Sequence, residues 1–181
     1  MKGVIFNVVG QVVTEMLGED AWDDLLDSAG ASGSYTSLGT YEDAELFGIA
    51  AAAAEALDTD IDTVLQVVGE KGFVHLSANH MELVNHHTRT VPFLQELNDI
   101  IHPEVLKLYP EARVPDFQTE LVDGDRLVVI YRSERNIPGL AIGLIRGAAA
   151  HFGEEVHVDV EPFEDGHRLD IRCSALVGTA P

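Results

Sequence analysis

Apolar residues recur every three to four positions through the first half of the chain. Val4, Val8, Val12 and Val13 fall at helical spacing, and Gly18 is placed to end that helix. Asp20 to Ser28 reads as a second helix with Trp22, Leu25 and Leu26 on one face. Gly30 to Tyr35 is small and polar, a loop. Asp43 to Leu57 is a third helix, rich in alanine. Asp60 to Val68 is a fourth, with Asp60 as N-cap and Gly69 as its stop. Gly72 to Leu76 reads as short and irregular. Glu82 to Ile101 predicts a long helix, broken or kinked at Pro92.

Beyond residue 115 the period changes. Asp116 to Val122 and Arg126 to Ser133 alternate or run apolar around Asp123-Gly124, a hairpin signal. Pro138 to Phe152 predicts a helix opened by proline and closed by Gly153. Glu155 to Val160 and Arg168 to Cys173 form a second strand pair across Glu164-Asp165-Gly166. Helices followed by β-β-α-β-β predict an α+β fold. A helical N-terminal part packs on a mostly antiparallel four-stranded sheet. No internal repeat or linker divides the 181 residues, so one domain over 1–181 is expected, with a helical subdomain to about residue 60.

Charge narrows the function. The chain carries 31 acids and 11 bases, a net charge of −20. So acidic a surface disfavours nucleic acid and anionic membranes. No run reaches the ~20 apolar residues of a membrane span, and Met1 to Asn7 is too short for a signal peptide. A cytoplasmic protein is expected. The single Cys173 excludes an intrachain disulfide framework. Residues 1–90 hold 3 bases against 15 acids, whereas the second half holds 8, including Arg126, Arg132, Arg135 and Arg146. Arginines gathered in an acidic chain suit surface ion pairs, an internal carboxylate or an anionic ligand.

Eight histidines raise the question of metal. On a helix His80 and His87 share a face, but two turns, ~10 Å, separate them, and Leu83 and Val84 between them cannot ligate. These two and His86 read as solvent or boundary residues, and His75, His151, His157 and His167 as structural or surface ones. His102 differs. It ends the apolar run Phe93, Leu94, Leu97, Ile100 and Ile101, and Pro103 disfavours the α conformation at His102 itself, which predicts an imidazole held at a break. Further on, Tyr131, Ser133 and Arg135 alternate along a strand end and would share one face, with Arg132 and Glu134 on the other. A phenol, a hydroxyl and a guanidinium fork together suit one or two carboxylates on a flat ligand. No Ser-His-Asp context, phosphate loop or paired-carboxylate site is present, so an enzyme is not expected.

A histidine after a long apolar helix, followed by Tyr-x-Ser-x-Arg, resembles the haem–nitric-oxide/oxygen-binding (H-NOX, or HNOB) domain, in its stand-alone bacterial form. The likeness runs through Met1-Lys2-Gly3, Gly69 to Val74, Phe93 to His102, Val114 to Phe117 and Gly143 to Gly147. It implies haem b between the two subdomains, with His102 as the axial iron ligand. Tyr131, Ser133 and Arg135 would hold the propionates and Pro115 would press on the porphyrin. It places Ile5, Val9, Val74, Leu140 and Leu144 on the distal side, with Leu140 where oxygen-binding members carry a tyrosine. An all-apolar distal side implies a ferrous haem that takes NO and CO and largely excludes O₂.

The resemblance further implies a gas sensor. NO would weaken the His102–iron bond, and the signal would pass to a separate protein such as a histidine kinase or a cyclic-di-GMP enzyme. The Cys/His zinc site of some members is not expected with one cysteine. The alternative is a haem-free module of the same fold that holds another small ligand.

Overall fold

The valine stripe at the N-terminus does form a helix. In the computed structural model, which describes residues 1–176, α1 spans Gly3–Leu17 and ends at Gly18, whose φ of +96° a side chain would oppose. The last five residues of the expected domain lie outside the described ones. α2 (Glu19–Ala29) and α3 (Asp43–Ala56) follow. With the first half of α4 (Ile61–Ser77) they bury Phe6, Val12, Leu46, Ile49, Leu65 and Val68 in one core. Asp60 caps α4 as expected, its Oδ1 accepting from the Thr63 amide at 2.8 Å.

α4 does not stop at Gly69. It runs on through Gly72 to Ser77, so the irregular segment expected there is helix. Both glycines serve close packing. A Cβ on Gly69 would lie 2.6 Å from the Leu140 carbonyl oxygen, and one on Gly72 would lie 2.5 Å from a Val8 methyl. The helix opposite Gly69 is α8 (Pro138–His151), and it answers in kind. A Cβ on Gly143 would meet the Gln66 carbonyl oxygen at 2.2 Å, and one on Gly147 would meet Phe73 Cβ at 2.4 Å. The two backbones therefore touch along a seam of glycines.

The predicted helix from Glu82 to Ile101 is instead several short pieces. A 3₁₀ turn (Ala78–His80) leads into α5 (Met81–Asn85), and α6 spans Thr90–Gln95. Pro92 sits in the first turn of α6, where its missing N–H costs nothing, so it helps start a helix rather than kink one. Leu97–Ile101 is a π turn, and α7 spans His102–Leu108.

The sheet is as the pattern implied. β1 (Asp116–Asp123), β2 (Arg126–Arg132), β3 (Glu154–Phe163) and β4 (Gly166–Ala175) pair antiparallel in the order β1-β2-β4-β3. Leu127, Val129, Leu169 and Ile171 bury one face in a second core with Phe93, Ile142 and Ile145. At one end of the sheet Glu154 accepts from the Thr90 amide and from Arg89 Nε, both at 2.8 Å. That pair ties α6 to the sheet. The first half of α4 belongs to the first core and Phe73 to the second, so α4 joins the two.

Candidate functional site

Between the cores lies a cavity of about 280 Å³. One wall comes from Val4 and Ile5 of α1, from Phe73, Leu76, Ser77 and His80 of α4 and the turn after it, and from Leu140, Ala141, Leu144 and Ile145 of α8. The other comes from Phe93 through Val105 of the α6–α7 run and from Phe117, with His102 among them. Arg113, Pro115, Tyr131, Ser133 and Arg135 supply most of its polar edge.

His102 reaches this wall by a route the sequence obscures. It is fully α-helical, with φ −62° and ψ −41°, despite Pro103. The irregularity lies just upstream. In the π turn the Ile101 amide donates to the Glu96 carbonyl and the His102 amide to Leu97, each five residues back. Pro103 then falls in the first turn of a new helix, where no donor is needed. Asn98 fixes the turn to β1. Its amide donates to Asp116 Oδ1 at 2.7 Å and to the Phe117 carbonyl at 3.0 Å, and its Oδ1 accepts from the Phe117 amide.

The ring packs against Phe117 at a centroid distance of 5.8 Å. Burial pushes its pKa down from 6.5 to about 4, against the upward pulls of Asp116 and the nearby Pro115 carbonyl. The imidazole is therefore neutral at pH 7, the form that binds a metal. Its Nδ1 is sealed from solvent with no partner in hydrogen-bond geometry. Other histidines are engaged elsewhere: His75 pairs with Glu15, His87 with Glu96 and His157 with Asp159.

Tyr131, Ser133 and Arg135 all line the cavity, although not by strand alternation. β2 ends at Arg132, and Ser133 to Asn136 form a turn closed by the Asn136 amide on the Ser133 carbonyl at 3.1 Å. Asn136 adopts φ +49° to complete it. Arg132 and Glu134 do face elsewhere, toward Glu164 and Asp165 and toward Arg113 respectively. Burial holds the Tyr131 phenol above the ordinary tyrosine range, so it keeps its proton to donate. Ser133 Oγ accepts from the Arg135 amide at 3.3 Å, and its hydroxyl lies within reach of the Tyr131 phenol.

Arg135 is 10% exposed, and its Nε lies 2.9 Å from Asp43 Oδ2. Its Nη1 donates to the Arg113 carbonyl at 2.8 Å. Asp43, the first residue of α3, also accepts from the Met1 ammonium at 2.5 Å. Burial works to raise the Asp43 carboxyl, but the Met1 ammonium and Arg135 together hold it below the usual range. Neither Asp43 nor Arg113 stands out in the sequence, because charged residues so far apart give no local signal. The other arginines singled out there are structural. Arg126 grips Asp170, and Arg146 donates to Gln66 across the α4–α8 seam.

Two of the five expected distal residues are misplaced. Val74 is 57% exposed, because the cavity face of α4 carries Phe73, Leu76 and Ser77 and leaves position 74 turned to solvent. Val9 is buried in the first core, one turn beyond the reach of the cavity. Ile5, Leu140 and Leu144 do line it. Ser77 and His80 are the polar additions on this wall, and the Ser77 hydroxyl donates to the Val74 carbonyl at 3.2 Å. Its single proton is thus already used, and only lone pairs remain for the cavity.

An apolar slot lined by the neutral imidazole of His102, with a rim of phenol, hydroxyl and guanidinium, suits a flat apolar molecule that bears carboxylates on one edge. Comparison with known proteins points the same way. The profile of the haem-NO-binding family matches residues 2–160. An H-NOX protein from S. oneidensis, solved in the Fe(II)NO state, is 30% identical, with a TM-score of 0.89 over 96% of this chain and 99% of that one. One from K. algicida, solved as unliganded Fe(II), is 25% identical, with a TM-score of 0.88 over 99% and 100%. The S. oneidensis domain has also been solved in the Fe(II)CO state, with 30% identity and a TM-score of 0.86. The chain belongs to the haem-NO-binding (H-NOX) family of haem-based gas sensors.

Proposed function

We propose that this chain binds haem b through His102 and senses nitric oxide. The observation that carries the reading is the neutral imidazole of His102, its Nδ1 sealed and unpaired, in an apolar cavity rimmed by Arg135. Bound ferrous haem would supply an open coordination position for a diatomic gas. Tyr131, Ser133 and Arg135 would donate to the propionates, and Pro115, beside His102, would bear on the porphyrin face.

The chain's own residues set the choice of gas. Leu140, Leu144 and Ile5 offer no proton, and that of Ser77 is committed to Val74. Bound O₂ gains much from a donor and NO little, so the face formed by these four residues favours NO and CO.

Release of His102 would pass the signal on. No residue of α7 is fully buried, although His102 packs on Phe117 and Val105 on the second core, so a bond from iron to His102 would be a strong added tether. Arg135 and Asp43 connect the cavity rim to α3, which gives the N-terminal helices a link to the site. The receiver is a separate signalling protein, such as a histidine kinase or a cyclic-di-GMP enzyme.

The test is the absorption spectrum of the chain reconstituted with hemin, then treated with dithionite and NO. A five-coordinate ferrous spectrum is expected, converted by NO and unchanged in air-saturated buffer by a stable oxy complex. His102→Gly should abolish that ferrous spectrum, and added imidazole should restore it. A chain that ignores hemin would overturn the proposal and favour the haem-free alternative.

A further inference from the structure

The cavity holds a second imidazole. His80 lines the α4 wall, whereas His102 lines the α6–α7 wall. His80 follows Ser77 by three residues, and both are directed to the same space. It ends the 3₁₀ turn after α4, with φ −135° and ψ +24°, so its backbone has left the helical ladder. Its ring meets Tyr109 edge to face at a centroid distance of 6.2 Å. Tyr109 is the residue that ends α7, seven after His102. The His80–Tyr109 contact therefore bridges the two walls. Among the described residues the His80 nitrogens take no hydrogen bond, unlike those of His75, His87 and His157.

Other basic or soft atoms at the cavity are less suited to iron. The Met1 ammonium is held by Asp43 and the Tyr41 carbonyl. Lys2 Nζ is turned to the Leu38 carbonyl. Tyr131 keeps its proton, and Cys173 lies outside the cavity lining. An imidazole without a hydrogen-bond partner among the described residues, lining the same cavity as His102, offers the chemistry of a sixth iron ligand.

We propose that His80 is the cavity's second iron ligand, taking the sixth position of oxidised haem when no gas is bound. This rests on the haem reading above. His80 would have to turn off Tyr109 to meet the iron, and it stands in the 3₁₀ turn beyond the end of α4 rather than within that helix. Binding of His80 to ferric iron would itself move no electron. Oxidised protein would hold iron between His102 and His80, and one-electron reduction, by dithionite in the test, would weaken the His80 bond and leave the position to NO.

Absorption and low-temperature EPR of the ferric full chain test this. Wild type should be low-spin with the signature of two imidazoles. His80→Ala should become high-spin while its ferrous and ferrous–NO spectra stay unchanged, and free imidazole should return it to low-spin. Cyanide should bind ferric His80→Ala at least tenfold more tightly, because a position occupied more than nine-tenths of the time weakens an incoming ligand by that factor. A high-spin wild type, or a His80→Ala variant that stays low-spin, would overturn the inference and leave the haem reading standing. Failure of the wild type to take up hemin, or an unchanged ferrous spectrum in His102→Gly, would overturn the haem reading itself.

Discussion

Arg135 divides its donors. Nε faces Asp43, Nη1 is bound to the Arg113 carbonyl, and the residue lines the cavity. Replacing it with Met keeps much of the bulk and removes the cation. Haem should then dissociate about tenfold to a hundredfold faster, since a hydrogen bond to a charged group contributes roughly 1.5–3 kcal/mol; transfer of haem to apomyoglobin measures this. Leu140→Tyr would add an uncommitted hydroxyl proton beside Ile5 and Leu144, where that of Ser77 is already used, and a slowly dissociating oxy complex should appear by stopped-flow absorption. His102 gives the apoprotein a pH signature. Its folded pKa of about 4 lies below the unfolded 6.5, so the unfolded chain binds more protons between these values, and stability rises with pH through that window. Going from pH 6.5 to 4 should cost the apoprotein up to about 3 kcal/mol. Urea melts of wild type and His102→Asn across that range should differ in slope. Carboxylates such as Asp43 and Asp170, whose pKa values are lowered, act below that window. At this scale His102 and the Tyr-Ser-Arg group were legible as residues of one cavity, because polar types at an apolar boundary are unusual. Val9 and Val74 were misplaced, because an apolar residue on a helix does not say which of two neighbouring spaces it fills.

The elements show where local signals mislead. Gly69 resembles a helix stop, yet α4 passes through it because α8 needs the room. Propensity lost at a helical glycine, ~1 kcal/mol, is offset by backbone contact that no sequence window contains. Pro103 suggested a break at His102, and the π turn moved that break five residues upstream. Gly143→Ala tests the seam. The new methyl would meet the Gln66 carbonyl oxygen at 2.2 Å, so the helices must part. A loss of about 1–3 kcal/mol is expected, read as a lower urea midpoint with unchanged slope. The strands were clearer, since alternation and a turn signal are both local. Only the turn at Ser133 to Asn136 differed, and it still brought the same three side chains to one place.

At the scale of the molecule, charge and the shared helix matter most. With a net charge of −20, repulsion among surface acids opposes the folded state. Raising salt from about 0.01 to 0.5 M shortens the screening length from ~30 Å to under 8 Å. The melting temperature of the apoprotein should therefore rise, although exposed pairs such as Arg172–Asp159 weaken. A fall would mean that these pairs outweigh the repulsion. The charge count excluded partners from the start, but it did not show that Arg135 turns inward while Arg126, Arg132 and Arg168 pair on the sheet.

The glycine seam also divides the molecule in time. Where two helices meet backbone to backbone, few side chains are present whose rearrangement could admit water to the peptide groups. The amides of α4 and α8 at Gln66, Gly69 and Gly143 should then exchange with deuterium most slowly. α7, with none of its residues fully buried, should exchange early. Filling or emptying the cavity would reset the clock of α7 by orders of magnitude and leave that of the seam almost unchanged.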